Sequence, residues 1–200
     1  MSTEIKKDAT ELLIKKTAKK LYFYEGKFDA TTQEIADAAG INRTLINYYF
    51  RSRDNLFNIV FEEAILEERE KSKFLIESDK PFKEKITLFI ENGIKKSLEY
   101  PFLESYLVSQ INKGKNCSIK PVQMDNNILQ NFEQEIATAI ADGLIKPIPA
   151  IQFILNLVSL VAFSACMRPL LQENLKISDS DFENIIKERK EIILSTLFIN

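Results

Sequence analysis

Arg43, Thr44, Asn47, Tyr48 and Arg51 lie in a short run whose spacing of three and four residues gathers 44, 47, 48 and 51 on one face of a helix. Their groups suit recognition rather than bond making. Arginine pairs bidentately with guanine, asparagine with adenine, and a threonine methyl can meet the thymine methyl in a major groove. Thr32, Gln33, Tyr49 and Arg53 flank the run and carry donors suited to phosphate oxygens, which position a reader without reading sequence. From spacing alone, a solvated helical hairpin with a polar outer face accounts for the same residues.

Two helices are required to hold such a face. Thr31-Thr32-Gln33-Glu34 is a capping box, with Thr31 as N-cap and Glu34 reaching back. The helix it opens ends at Gly40, and Asn42 caps a second helix running to Phe50. The glycine between them suits a tight turn closed to most side chains. Ile35, Ala36, Ile41, Ile46 and Phe50 form the inner mini-core that sets the crossing of the pair.

Apolar spacing of three and four dominates the rest of the chain and strand-type alternation is nearly absent. The pattern predicts an all-α fold of about nine helices. A first helix covers roughly Glu4–Tyr24, burying Ile14, Ala18, Leu21 and Tyr22, and stops at Gly26. Ser52 caps a fourth, to about Phe74, with Asp54 in its first turn. Pro81 and Pro101 start two more, and a polar loop covers Asn112–Pro121. Another helix ends before Gly143. Pro147 and Pro149 then open a long apolar helix to about Leu171, with Arg168 near its C-terminal dipole. Ser180-Asp181-Phe182-Glu183 reads as a second capping box, opening a last helix with Phe182, Ile185, Ile186, Ile193 and Leu197 on one stripe.

The run from Ala30 to Leu56, ATTQEIADAAGINRTLINYYFRSRDNL, resembles the TetR family of bacterial regulators over about Leu12 to Phe61. The likeness rests on the Thr-Thr pair before the helix, the Ile-Ala pair within it, Ala-Gly at the turn, Tyr-Phe at the close, and a basic-Ser-basic-acid ending. Ile41 stands for the family's valine, and Arg51 and Arg53 for its lysines. Leu45 and Asn47 depart from the family's usual residues in the recognition helix. The resemblance implies a DNA-binding head, residues 1–56 with its helix-turn-helix motif at 31–50, and a helical effector-binding and dimerisation body over 57–200. It implies base contacts from Arg43, Thr44 and Asn47, and phosphate contacts from Thr32, Tyr48, Tyr49 and Arg53, to which the chemistry of Gln33 adds a further candidate.

It also implies a homodimer through the last two helices, about 148–171 and 181–198, on a pseudo-palindromic operator in double-stranded DNA, and a small-molecule effector that releases a repressor. The sequence supports the dimer separately. Residues 150–167 are apolar around most of the helix circumference, so one side can pack on the protomer and another on a second chain. A reader of two half-sites one DNA turn apart needs two heads. No effector residues are assigned: Phe89, Phe102, Tyr106, Phe153, Asn156 and Cys166 suit a pocket, and ordinary core packing suits each of them as well.

Bulk properties bound the alternatives. The net charge of -2 argues against a chain coated in nucleic acid. Met1–Leu56, however, carries 10 Lys and Arg against 8 Asp and Glu, while the remainder carries 17 against 21. That is the sign expected of a DNA-binding head on an acidic body. The absence of histidine removes the commonest general base and metal ligand, and neither a Gly-rich phosphate loop nor a nucleophile elbow stands in its place. The chain reads as a non-enzyme that needs no metal or cofactor. Cys117 and Cys166 lack CxxC spacing, and the charged N-terminus does not read as a secretory signal, so a cytoplasmic setting is expected. Ile151–Met167 carries no charge but is interrupted by Gln152, Asn156, Ser159 and Ser164, and reads as a buried helix rather than a membrane span. Two other readings remain: a DNA-binding regulator governed by a protein partner, and, more remotely, an all-helical enzyme.

Overall fold

The computed structural model describes residues 2–112 and 126–199. Among these residues there are ten α-helices and no strand. The expected loop after Asn112 and Cys117 lie outside the described residues. The chain divides into two compact units, Met1–Arg69 and Glu70–Asn200.

The first unit holds α1 (Ser2–Lys19), α2 (Thr32–Ala39), α3 (Arg43–Phe50) and the start of α4 (Arg53–Glu77). After Lys19 the α1 helix widens by one residue per turn through Tyr24, with Glu25 N–H donating to the Lys20 carbonyl at 3.0 Å. Gly26, at φ +70°, then reverses the chain. Ile14, Ala18, Leu21 and Tyr22 are buried, as their spacing requires. Leu56, Phe57, Val60, Phe61, Ala64 and Ile65 of α4 are buried too, and the Tyr22 and Phe57 rings contact edge to face at 4.7 Å. Lys15 bridges α1 to α4 by an ion pair with Glu63 at 2.7 Å. Hydrogen bonding to Glu63 raises the lysine's pKa against the opposing cost of burial.

The second unit holds α5 (Phe82–Glu99), α6 (Leu103–Asn112), α7 (Asn126–Ala141), α8 (Ala150–Cys166), α9 (Arg168–Leu175) and α10 (Asp179–Leu197). Its core joins Ile86 and Ile90 of α5, Phe132 and Ile136 of α7, Phe153 and Leu157 of α8, and Ile193 and Leu197 of α10. Gly93 lets α5 approach α8 closely: a Cβ there would sit 2.3 Å from Val161 Cγ1. Lys85 is buried, and its ammonium donates to Glu135 at 2.7 Å and to the Ile76 carbonyl at 2.9 Å. Both partners are needed to hold a charge away from water.

Two expected elements differ. The long apolar helix ends at Cys166, and α9 leaves it at a 66° bend. Pro169 is the cause, since it cannot donate a backbone hydrogen bond and its ring would crowd the carbonyl four residues back. This break is why the count is ten rather than nine. Arg168 therefore does not serve the end of α8. It is buried at the start of α9, donates to Gln172 at 3.1 Å and Asp179 at 2.9 Å, and lies over the Phe182 ring. The last helix starts earlier than expected, with Ser178 as N-cap accepting from Asp181 N–H at 3.2 Å and donating to the Asp181 carboxylate at 2.7 Å. The earlier start puts both Asp179 and Asp181 in the first turn, where the helix dipole favours acids. It also leaves Asp179 for Arg168, and the Gln172 and Arg168 hydrogen bonds hold its carboxyl below the usual carboxylate range. Among the described residues no single helix is long and apolar enough to cross a membrane.

Candidate nucleic-acid interface

The helix pair α2–α3 is built largely from local signals. Thr31 Oγ1 accepts from Glu34 N–H at 3.2 Å, and the Glu34 carboxylate accepts from Thr31 N–H at 2.8 Å, so both halves of the capping box form. The Thr31 N–H, and then the Thr31 hydroxyl donating to the same carboxylate at 2.8 Å, hold the Glu34 carboxyl below its ordinary pKa. Gly40 closes α2 at φ +66° and returns its N–H to the Asp37 carbonyl at 3.2 Å. Asn42 Oδ1 then caps α3, accepting from Thr44 N–H at 2.9 Å and from the Thr44 hydroxyl at 2.8 Å. Ile35, Ala36, Ile46 and Phe50 are buried and Ile41 half-buried, so the inner face is the predicted mini-core.

The outer face is open. Arg43, Thr44, Asn47 and Tyr48 are exposed, and Tyr48 shows 69% of its surface to solvent. Tyr49 is half-buried and meets the Tyr48 ring edge-on at 5.1 Å. Gln33 is exposed and donates to Asp37 at 2.8 Å. Thr32 is buried in the first turn of α2, which leaves mainly its backbone amide to serve an outside group. Arg51 is exposed at φ +65°, a backbone conformation that favours glycine, so its side chain leaves α3 from a strained position. Asn55 Nδ2 donates to the Phe50 carbonyl at 2.9 Å and closes the end of α3.

The Arg53 guanidinium is engaged by the fold across long sequence separation. Its Nε donates to the Ala30 carbonyl at 3.2 Å, one Nη to the Phe28 carbonyl, and the other to Asp54 at 2.8 Å. Sequence reasoning missed this arrangement. Its acceptors are backbone carbonyls 23 and 25 residues upstream, which leave no mark in side-chain type.

The α2–α3 pair with its flanking helices also matches a known family. Residues 14–60 fit the family model described as bacterial regulatory proteins, tetR family. The matched stretch lies within the N-terminal unit and contains the whole α2–α3 pair. The likeness to solved structures covers the whole TetR-type architecture. A TetR-family transcription regulator from Marinobacter aquaeolei VT8 is 14% identical, with 100% of both chains covered and a TM-score of 0.53. A regulator of the TetR/AcrR family from Thermobifida fusca YX-ER1 is 14% identical, over 92% of this chain and 96% of that one, with a TM-score of 0.56. A TetR-family transcriptional regulator from Haemophilus influenzae RD is 16% identical, over 96% of this chain and 98% of that one, with a TM-score of 0.51. At these identities the structures establish a shared fold. No curated protein matches the sequence.

Proposed function

We propose that the chain is a sequence-specific DNA-binding transcription regulator that acts in the cytoplasm as a homodimer. The observation that carries the reading is the exposed polar face of α3, held by a buried inner face and a complete set of caps inside a TetR-type head. In this reading Arg43, Thr44 and Asn47 enter the major groove and contact base edges. Gln33, Tyr48 and Tyr49 anchor the head on phosphates, joined by the Thr32 amide at the positive end of α2. Arg53, expected among the anchors, is the exception, because its donors face protein acceptors.

Residues 1–56 are the DNA-binding part of this design, and 57–200 the part that dimerises and receives a signal. The dimer is supported by α8 and α10. Ile151, Leu155 and Val158 form a stripe on α8, Ile185, Ile192 and Ile199 recur at seven-residue spacing along α10 and its end, and all six are exposed in the single chain. Apolar rows of this kind favour a second copy over water. Two heads then meet two half-sites of a pseudo-palindrome about one DNA turn apart.

A small-molecule effector, binding one spacing of the two heads better than the other, would shift the population away from the DNA-competent dimer and relieve repression. Fluorescence anisotropy with duplexes from the adjoining intergenic DNA tests the core of the reading. Salt-sensitive binding that prefers certain sequences is expected, and its absence would end the proposal.

A further inference from the structure

Arg53 opens α4, and what its guanidinium touches differs from what an exposed phosphate anchor would touch. Three of its donor directions meet acceptors of the same unit: the Phe28 and Ala30 carbonyls and the Asp54 carboxylate. The planar group also lies over the Phe57 ring, 6.0 Å from its centroid. Ala30 is buried, so its carbonyl has little water to turn to if the arginine is removed. The buried Tyr22 lies beside the same group.

The two carbonyls belong to the short connection between α1 and α2, whose next residue is Thr31, the N-cap of α2. A planar fork reaching two carbonyls of one loop fixes both its distance and its orientation. The start of α2 is thereby tied to the start of α4, across 25 residues of sequence, at the place where the α2–α3 pair must be aimed.

Resting on the DNA-binding reading above, we propose that Arg53 is a positioning residue that locks the α1–α2 loop and the cap of α2 onto α4, and that it makes no phosphate contact of its own. The charge of Arg53 is then incidental to binding, whereas its fork geometry sets the presentation of α3. A phosphate anchor would show the reverse dependence.

The test uses full-length Arg53→Met, Arg53→Gln and Arg53→Lys proteins and a mixed-sequence duplex of DNA. Affinity is measured by anisotropy from about 50 to 300 mM KCl, together with amide hydrogen exchange of the free protein. Arg53→Met is expected to weaken binding about tenfold or more at every salt concentration with the slope of log K against log salt unchanged. Exchange at the amides of 28–31 should rise by a similar factor. Arg53→Lys, which keeps the charge without the planar fork, should be impaired in both readouts like Arg53→Met, and full recovery of both would overturn the proposal.

A slope flatter by about 0.9 per head in Arg53→Met overturns the proposal, whatever the exchange does. Unchanged exchange overturns it as well. Arg53→Gln, which keeps one amide donor without charge, carries the same comparison if the methionine variant does not fold. If the unsubstituted protein itself binds no duplex, the regulator reading fails, while exchange at 28–31 still decides the clamp.

Discussion

Two helix pairs dispose of their surfaces differently. In α2–α3 the apolar residues Ile35, Ala36, Ile46 and Phe50 are buried within one chain, and the outward groups are Arg43, Thr44, Asn47 and Tyr48. In α8 and α10 the inner residues Phe153, Leu157, Ile186 and Ile193 are equally buried, yet Ile151, Leu155, Val158, Ile185 and Ile192 still face solvent. The first pair is complete as an apolar object and offers hydrogen-bonding groups to a polar partner. The second is incomplete as an apolar object and leaves surface that the proposed second copy would cover. One protein thus carries a surface suited to a charged polymer and another suited to its own copy.

The largest expected effect lies in the second pair. Leu155→Glu would place a charge in the proposed interface, at a cost of about 3–5 kcal/mol where it is buried unpaired. Sedimentation velocity should show monomer in place of dimer, with DNA affinity falling alongside. A variant that stays dimeric would break the comparison at its root. Within the same unit, Gly93→Ala would bring a Cβ to 2.3 Å from Val161 Cγ1. Overpacking of that kind costs about 1–3 kcal/mol and should appear as a lower thermal midpoint. Adding Val161→Ala should return part of the loss, because the two sites share one contact.

On the first pair, Asn47→Ala should change recognition with little change in folding. The expected loss is about 1–3 kcal/mol of discrimination at one base pair, read by competition among point-substituted duplexes. An equal loss on every duplex would move Asn47 from the readers to the anchors. Thr31→Ala removes the cap of α2 and should cost about 1 kcal/mol in thermal or denaturant unfolding.

The smallest effect is one of pH. The Glu34 carboxyl is held below its ordinary pKa, first by Thr31 N–H and then by the Thr31 hydroxyl. A depressed carboxylate contributes stability above its unfolded-state pKa and loses it as pH falls through the folded value. Unfolding curves below the usual carboxylate range should therefore be flatter for Glu34→Gln than for the unsubstituted chain. Identical acid limbs would mean that the box contributes through geometry alone.

The two pairs also differ in how far they could be read in advance. The elements of α2–α3 are specified by neighbours: Thr31 with Glu34, Gly40 at a left-handed turn, Asn42 with Thr44. Each signal spans four residues or fewer, so residue type and spacing suffice. Around α8–α10 the decisive contacts join distant residues. Pro169 broke a helix that its apolar pattern continued, and Arg168 turned inward to Asp179 and Phe182. Ser178, two residues before the expected Ser180, caps the last helix and leaves Asp179 available to α9. Ile185, placed on the inner stripe by its spacing, is exposed in the single chain beside buried Ile186.

By itself the sequence determined the all-helical class, the caps and turn of the helix-turn-helix, its buried inner face and the identity of the groups on its outer face. Those follow from periodicity and from hydrogen bonds between near neighbours, which the order of residues states directly. Tertiary structure alone decided that Arg53 turns to Phe28 and Ala30, that Gly93 admits Val161, and which apolar residues of α8 and α10 remain uncovered. A donor on a long side chain, a glycine facing another helix and an isoleucine on a stripe each have several possible partners. Only the packing of remote segments selects among them.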